Sequence, residues 1–322
     1  MRSVESGPAY EAFLQGRRWA AVRSAEGFEK SGIALRRALE LDPEFAPAHL
    51  AMAARYLTLA GSALAAARES MPLCRDHALK ALSIDPSLSE GHAILGVIAA
   101  THDYDWDAAA GQFRLAIAGR PVPGARFRYA VYYLLPMRRF AEAIEQLEEG
   151  LRDDPLNLLQ RSNLAICLAA AGRISDSEKC LRDVLAVDNS FWIALLVTAA
   201  NAIAANDADA AADAAERAHT CGHWNARTAG LLAGLLSLKG DARRAAELID
   251  HLSEGDADVA TTGLMDYHLV RGEADDAAEW AHMAIARRDP MLPIVLQHPY
   301  ARALRDSSRW PALARAMRLP LS

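Results

Sequence analysis

The chain has 322 residues, 52% of them hydrophobic, enough for a well-buried core that would divide into two domains unless the chain is a linear repeat array. Its formal net charge is −6 and its pI is near 5.9, which excludes non-specific attraction to phosphate backbones and argues against nucleic-acid binding by this segment alone. Alanine is abundant and long Val/Ile/Thr alternations are absent, so close helix packing is favoured over sheet.

The chain opens MRSVESGPAYEAFL, without the apolar stretch of a secretory signal. Pro8 after Ser/Gly marks a helix start and leaves 1–8 as a tail. Self-similarity then governs the sequence. ALRRALELDPEFAPAH (34–49), HALKALSIDPSLSEGH (77–92), FRLAIAGRPVPGARF (113–127) and LEEGLRDDPLNLLQR (147–161) align on Pro43, Pro86, Pro121 and Pro155, spaced 43, 35 and 34 residues apart. Asn189 takes the proline's place 34 residues further on. This is the period of a two-helix repeat. Each proline ends a helix, because it lacks an N–H and its ring clashes with the preceding turn.

Within a repeat, Gly172, Gly240 and Gly272 fall between the two helices, where a C-cap requires positive φ. Ala143, Ala211, Ala245 and Ala277 hold one equivalent place and let paired helices approach closely. Leu164, Ile166, Cys167 and Leu168, then Cys180, Leu181, Val184 and Leu185, give helical apolar periodicity. A single hairpin cannot bury such a face, whereas stacked neighbours can. Eight repeats follow, at 9–45, 46–88, 89–123, 124–157, 158–191, 192–225, 226–257 and 258–290. The apolar stretch 191–205 is too short for a membrane span and contains Asn201, so it reads as buried helix. The acidic stretch 252–260 reads as a solvated loop between repeats. The end, 291–322, carries Trp310, Pro311 and LARAMRL, an amphipathic helix expected to cover the apolar face of the last repeat.

The pattern resembles the tetratricopeptide repeat (TPR) family, with its large residue, Leu and small residue, then Gly, Ala, aromatic, Ala and Pro at fixed places. The resemblance implies an all-α, right-handed solenoid of about eight helix hairpins over 9–290, with 291–322 as a C-terminal cap. More narrowly, YEAFLQGRRWAAVRSAEGFEKSGIALRRALELDPEFAPAHLAMA, YDWDAAAGQFRLAI and RRDPMLPIVLQHPYARALRDSSRWPALARAM resemble one bacterial TPR subfamily. In that subfamily the array follows a winged-helix, Ser/Thr kinase or nucleotide-cyclase domain. Here repeat one follows Met1 almost at once, so the chain is expected to be either the excised effector half of such a protein or a stand-alone relative.

In the resembling arrays the first helix of each pair lines the concave face. Counting in register predicts a groove formed by Leu50, Ala54 and Leu57, then Ala93, Val97 and Thr101, then Arg128, Tyr132 and Leu135. Ser162, Ile166 and Ala169, Leu196, Ala200 and Ile203, and finally Gly234, Ser237, Asp266 and Leu269 continue it. The turn PMRRF adds one residue to repeat four, which can shift that register. Such a groove suits an amphipathic helix or an extended apolar segment; the alternative is that these residues only pack inside a tight superhelix. Arg126 and Arg128 are the basic residues near the groove, so an acidic peptide tail is disfavoured as the ligand.

Candidate chemistry is sparse. His219, Cys221 and His223 could offer zinc ligands from an extended loop, but no fourth ligand is signalled and a turn between repeats is expected there. The acidic residues of HDYDWD (102–107) read as a turn between helices. His49 and His92 share a repeat position, which marks them as packing residues. Nucleophile and nucleotide-binding motifs are absent, and no cofactor is expected. Four scattered cysteines (Cys74, Cys167, Cys180, Cys221) read as reduced thiols of a cytoplasmic protein. The expected function is a non-enzymatic scaffold that holds a protein or peptide, away from membranes. A metal- or small-molecule-binding module and a homodimer joined through apolar patches stand beside it.

Overall fold

A computed structural model of the chain describes residues 7–118, 122–254 and 260–320. Every regular element among them is helical, and the first sixteen α-helices form eight consecutive hairpins. They are α1 (Pro8–Ala21) with α2 (Ala25–Leu41), α3 (Ala46–Gly61) with α4 (Ala67–Ile84), α5 (Ser89–Ile98) with α6 (Trp106–Ile117), and α7 (Pro123–Tyr129) with α8 (Phe140–Asp153). Then come α9 (Leu158–Ala170) with α10 (Ile174–Val187), α11 (Trp192–Ala204) with α12 (Ala208–Gly222), α13 (Ala226–Leu238) with α14 (Ala242–Glu254), and α15 (Thr261–Val270) with α16 (Ala274–Ala286). The expected all-α solenoid is therefore the observed fold.

Local chemistry explains the hairpins. Side chains of Ser24, Asp105, Asn157, Asp207 and Asn225 accept from backbone N–H groups in the first turns of α2, α6, α9, α12 and α13. Gly172, Gly240 and Gly272 reverse the chain with φ of 79°, 86° and 77°. Arg23, Tyr104, Arg138 and Asn206 stand at the same kind of turn with φ of 51°, 52°, 59° and 59°; each costs about 1 kcal/mol that glycine avoids. The alanine series at 143, 211, 245 and 277 is buried where the paired helices meet. Between repeats, the Nε2 of His49 lies 2.9 Å from the Pro43 carbonyl oxygen, and that of His92 lies 3.3 Å from the Pro86 oxygen. Arg161 donates to the Pro155 oxygen over the same six-residue interval, so this residue secures the repeat junction. Pro121 lies outside the described residues, as does most of 252–260.

Two first helices continue as π turns, Ala99–Asp103 after α5 and Ala130–Leu134 after α7. A π turn takes up one extra residue inside a helix, which accounts for the additional residue in repeat four.

The superhelix closes on itself. Asn225 Nδ2 donates to the Ser62 carbonyl oxygen at 3.3 Å, and the rings of Phe28 and Trp224 meet edge to face at 6.1 Å. The junction of repeats six and seven therefore touches repeats one and two. The last segment does more than the expected cap. Its helices α18 (Arg302–Arg305) and α19 (Trp310–Ala316) do pack on α16. Before them, α17 (Leu292–Val295) and a 3₁₀ turn (Pro299–Ala301) run inside the solenoid, against the π turn of repeat four, α11 and α15. Residues 292–298 are all buried. Trp106 donates from Nε1 to the Met317 carbonyl oxygen at 2.8 Å and Arg288 lies over the Tyr104 ring, so the YDWD turn anchors this returning segment.

Candidate functional site

First helices line the lumen, and two adjoining cavities of about 330 and 580 Å³ remain in it. Their walls come from α3, α5, α7, α9, α11 and the start of α13, with α1 and α2 closing the larger one. Of the groove residues expected from the sequence, Leu57, Arg128, Tyr132, Ile166 and Leu196 line the smaller cavity, and Leu50 and Ala54 the larger.

The other groove positions require correction. Ala93, Val97, Thr101 and Leu135 are fully buried between helices, as are Ala169 and Ala200 within a few per cent. Thr101 Oγ1 donates back to the Val97 carbonyl oxygen, and Ser162 Oγ to that of Leu158. Gly234 packs against Val270, Leu269 is buried and Ile203 leans on the core. Ser237 is half-buried and lines neither cavity. These residues turn inward because the tight superhelix and the returning C-terminal segment use the surface that an open groove would present.

Asp266 is the clearest case. It is fully buried and accepts from Arg227 Nε at 2.8 Å and from the Tyr300 hydroxyl at 2.6 Å. Arg227 Nη2 also donates to that hydroxyl at 3.0 Å. Burial opposes the charge on Arg227, but the Asp266 carboxylate outweighs it and raises the guanidinium pKa. The triangle joins α13, α15 and the 3₁₀ turn. Nearby, His298 is buried with neither ring nitrogen hydrogen-bonded; burial, with Arg227 and Arg305 adding to it, lowers its pKa to about 3.

The cavity walls carry residues that sequence reasoning passed over. Beside the expected Arg128 stand Arg17, Arg23, Arg55 and Arg227, with Glu90 and Asp154, a positive lining in a chain of net charge −6. Arg55 Nε donates to the Phe28 carbonyl oxygen at 2.9 Å. Arg128 Nη1 donates to Glu90 at 2.8 Å and to the Gly124 carbonyl oxygen at 3.1 Å. Asn157, Gln160, Asn163, Asn225 and Trp192 add polar atoms to the smaller cavity. The inference against acidic ligands, drawn from Arg126 and Arg128 alone, does not hold for this lumen. No periodic signal announces the set, because its members sit in different repeats and meet only when the superhelix closes.

The weak zinc candidate also needs correction. His219 and Cys221 lie on α12 and His223 caps it, so no extended loop points them one way. His219 Nδ1 instead lies 3.4 Å from Thr228 Oγ1. Among the described residues, His268, Glu273 and Asp276 are near enough to share a cation, but His268 and Arg271 already pair with Glu273 at 2.7 and 2.6 Å. Cys74 and Cys167 are buried, and burial pushes both thiols up to about 12. Among the described residues, no helix is long and apolar enough to cross a membrane.

Stacked helix hairpins around an internal lumen define a helical-repeat solenoid. Residues 134–194 match the family model described as tetratricopeptide repeat. No curated protein matches the chain in sequence. Among solved structures, the human IFIT1 dimer with PPP-AAAA aligns at 15% identity and a TM-score of 0.62, over 93% of this chain and 73% of that one. Cut9–Hcn1 of the APC/C aligns at 14% and 0.58, over 96% and 54%. Yeast Tom70 aligns at 15% and 0.54, over 98% and 69%. The matched segment is similar to the tetratricopeptide repeat, and the chain as a whole shares its solenoid fold with these structures.

Proposed function

We propose that the chain is a binding scaffold that holds a segment of a protein partner in the open part of its lumen, as the docking part of a bacterial, cytoplasmic signalling protein. The reading is supported above all by the way the lumen already holds a peptide: the chain's own residues 292–301 lie in its C-terminal half, largely buried. Beside it the two cavities remain open. There Leu50, Ala54, Leu57 and Ile166 offer apolar area, and the arginines and amides offer donors for a backbone or acidic group. Burial of apolar side chains supplies the affinity and the polar groups fix the register. The signalling role rests on the resemblance of the YDWD and C-terminal segments to the bacterial subfamily.

Selection of a displayed peptide library on the full chain tests this. Enriched peptides are expected to bind saturably and to lose at least about tenfold in affinity on Ala54→Arg or Ile166→Asp, with helical content retained by circular dichroism. Peptides that bind both variants as well as the parent chain would place the interaction elsewhere.

A further inference from the structure

We propose that the smaller lumen cavity is a site for a compact ligand bearing an oxyanion, phosphate or carboxylate, seated between Arg23 and Arg128 with its less polar body against Trp192 and Leu196. This goes beyond partner docking and does not depend on it.

Three unused donors carry the argument. Arg23 has neither a hydrogen bond nor an ion pair among the described residues, and its Nε is buried. Arg128 spends Nη1 on Glu90 and Gly124, but its Nε is buried without a partner. Trp192 Nε1 is likewise buried and unbonded. All three side chains line the same cavity of about 330 Å³. An orphaned buried donor is costly, and a buried guanidinium without a counter-charge more so.

The carboxylates nearest these donors have other partners, Asp154 accepting from Asn157 Nδ2 at 3.0 Å. The Glu90 carboxylate is engaged by Arg128 and the Asp266 carboxylate by Arg227. The electrostatic neighbour of Arg23 is the Tyr132 phenol, and burial lowers the guanidinium pKa. Arg23 also occupies a left-handed turn at φ 51°, where Gly172, Gly240 and Gly272 stand in other repeats. Local conformation therefore gives no reason for arginine at that position, and a ligand does. A planar guanidinium matches a carboxylate or phosphate with two parallel hydrogen bonds. The volume is that of a small-ligand site and too small for a folded helix. Trp192 and Leu196 on the wall favour a ligand with a flat or apolar portion.

Isothermal titration of the full chain with phenyl phosphate and with benzoate, and with benzyl alcohol as the neutral control, tests the site and separates phosphate from carboxylate. At least one anion is expected to bind 1:1, to weaken as sodium chloride is raised, and to weaken at least about tenfold in Arg23→Gln. Arg182→Gln, on the outer face, is expected to bind like the parent chain. A second readout is thermal: the anion that binds raises the melting temperature of the parent chain but not of Arg23→Gln. The proposal is overturned if neither anion binds, if Arg23→Gln binds equally well, or if benzyl alcohol binds as tightly as the anions. The effect of Ala54→Arg on peptide binding, at a wall of the larger cavity, is read independently of each of those results, so the two readings fail separately.

Discussion

Removal of the Asp266 carboxylate tests how firmly the C-terminal segment is locked into the lumen. Asp266 is fully buried and Arg227 has a side-chain exposure of 15%, so Asp266→Ala leaves a desolvated guanidinium facing no counter-charge and takes the acceptor from the Tyr300 O–H. Breaking a buried pair from one side costs about 3–5 kcal/mol. Tyr300→Phe keeps the ion pair and removes two hydrogen bonds to charged groups, costing at least roughly 1.5–3 kcal/mol. Replacing Arg227 and Asp266 together by leucines removes both charges, so that double change should cost less than Asp266→Ala alone. Urea denaturation followed by far-ultraviolet circular dichroism measures the set, with the midpoints of all four chains compared at one protein concentration. Asp266→Ala within about 1 kcal/mol of the parent, or the double variant worse than the single, would refute the buried triangle as the lock.

Further expectations follow from the same structure. His298 has its folded pKa lowered to about 3, against about 6.5 when unfolded. The unfolded chain therefore binds the extra proton between these values, and stability falls as pH drops through that window. From pH 6.5 to 5 this side chain should contribute a loss of roughly 1.5 kcal/mol, and His298→Gln should flatten that slope; an unchanged slope would contradict its burial. At Gly230 a methyl group would sit 1.9 Å from the Gly263 carbonyl oxygen, so α13 and α15 must separate in Gly230→Ala. A cost of about 1–3 kcal/mol or more is expected by thermal denaturation, and a neutral outcome would mean the two backbones are not in contact.

Much of this architecture was legible in the sequence. The prolines at 43, 86 and 155 and the glycines at 172, 240 and 272 act on their own neighbours, through a missing N–H or a permitted φ. Their spacing therefore reports the hairpins directly. The alanines between paired helices are local in the same sense. The lumen is different. Leu57, Arg128, Tyr132, Ile166 and Leu196 reach it as their helix register suggests, whereas Thr101, Ser162 and Asp266 are consumed by packing that register cannot report. Arg23, Arg128 and Trp192 meet only because Asn225 closes onto Ser62, a contact 163 residues apart in the chain. LARAMRL covers α16 as its amphipathic pattern suggests, and Trp106 reaches Met317 there across 211 residues. The inward course of 292–301 has no such local signal. His219, Cys221 and His223 looked like a loop because they fall at the junction of repeats six and seven, whereas α12 runs on to Gly222 with no breaker before it.

Amide hydrogen exchange across residues 294–301 tests the central claim most directly. These amides bond within α17 and the turns after it, as Val295 to Met291, Leu296 to Leu292 and His298 to Val295, and the segment is sealed from water by the solenoid around it. The account predicts protection comparable to the cores of α11 and α13. Exchange of this segment at the rate of an unstructured peptide, with α11 and α13 still protected, would show that the lumen does not hold its own C-terminal chain.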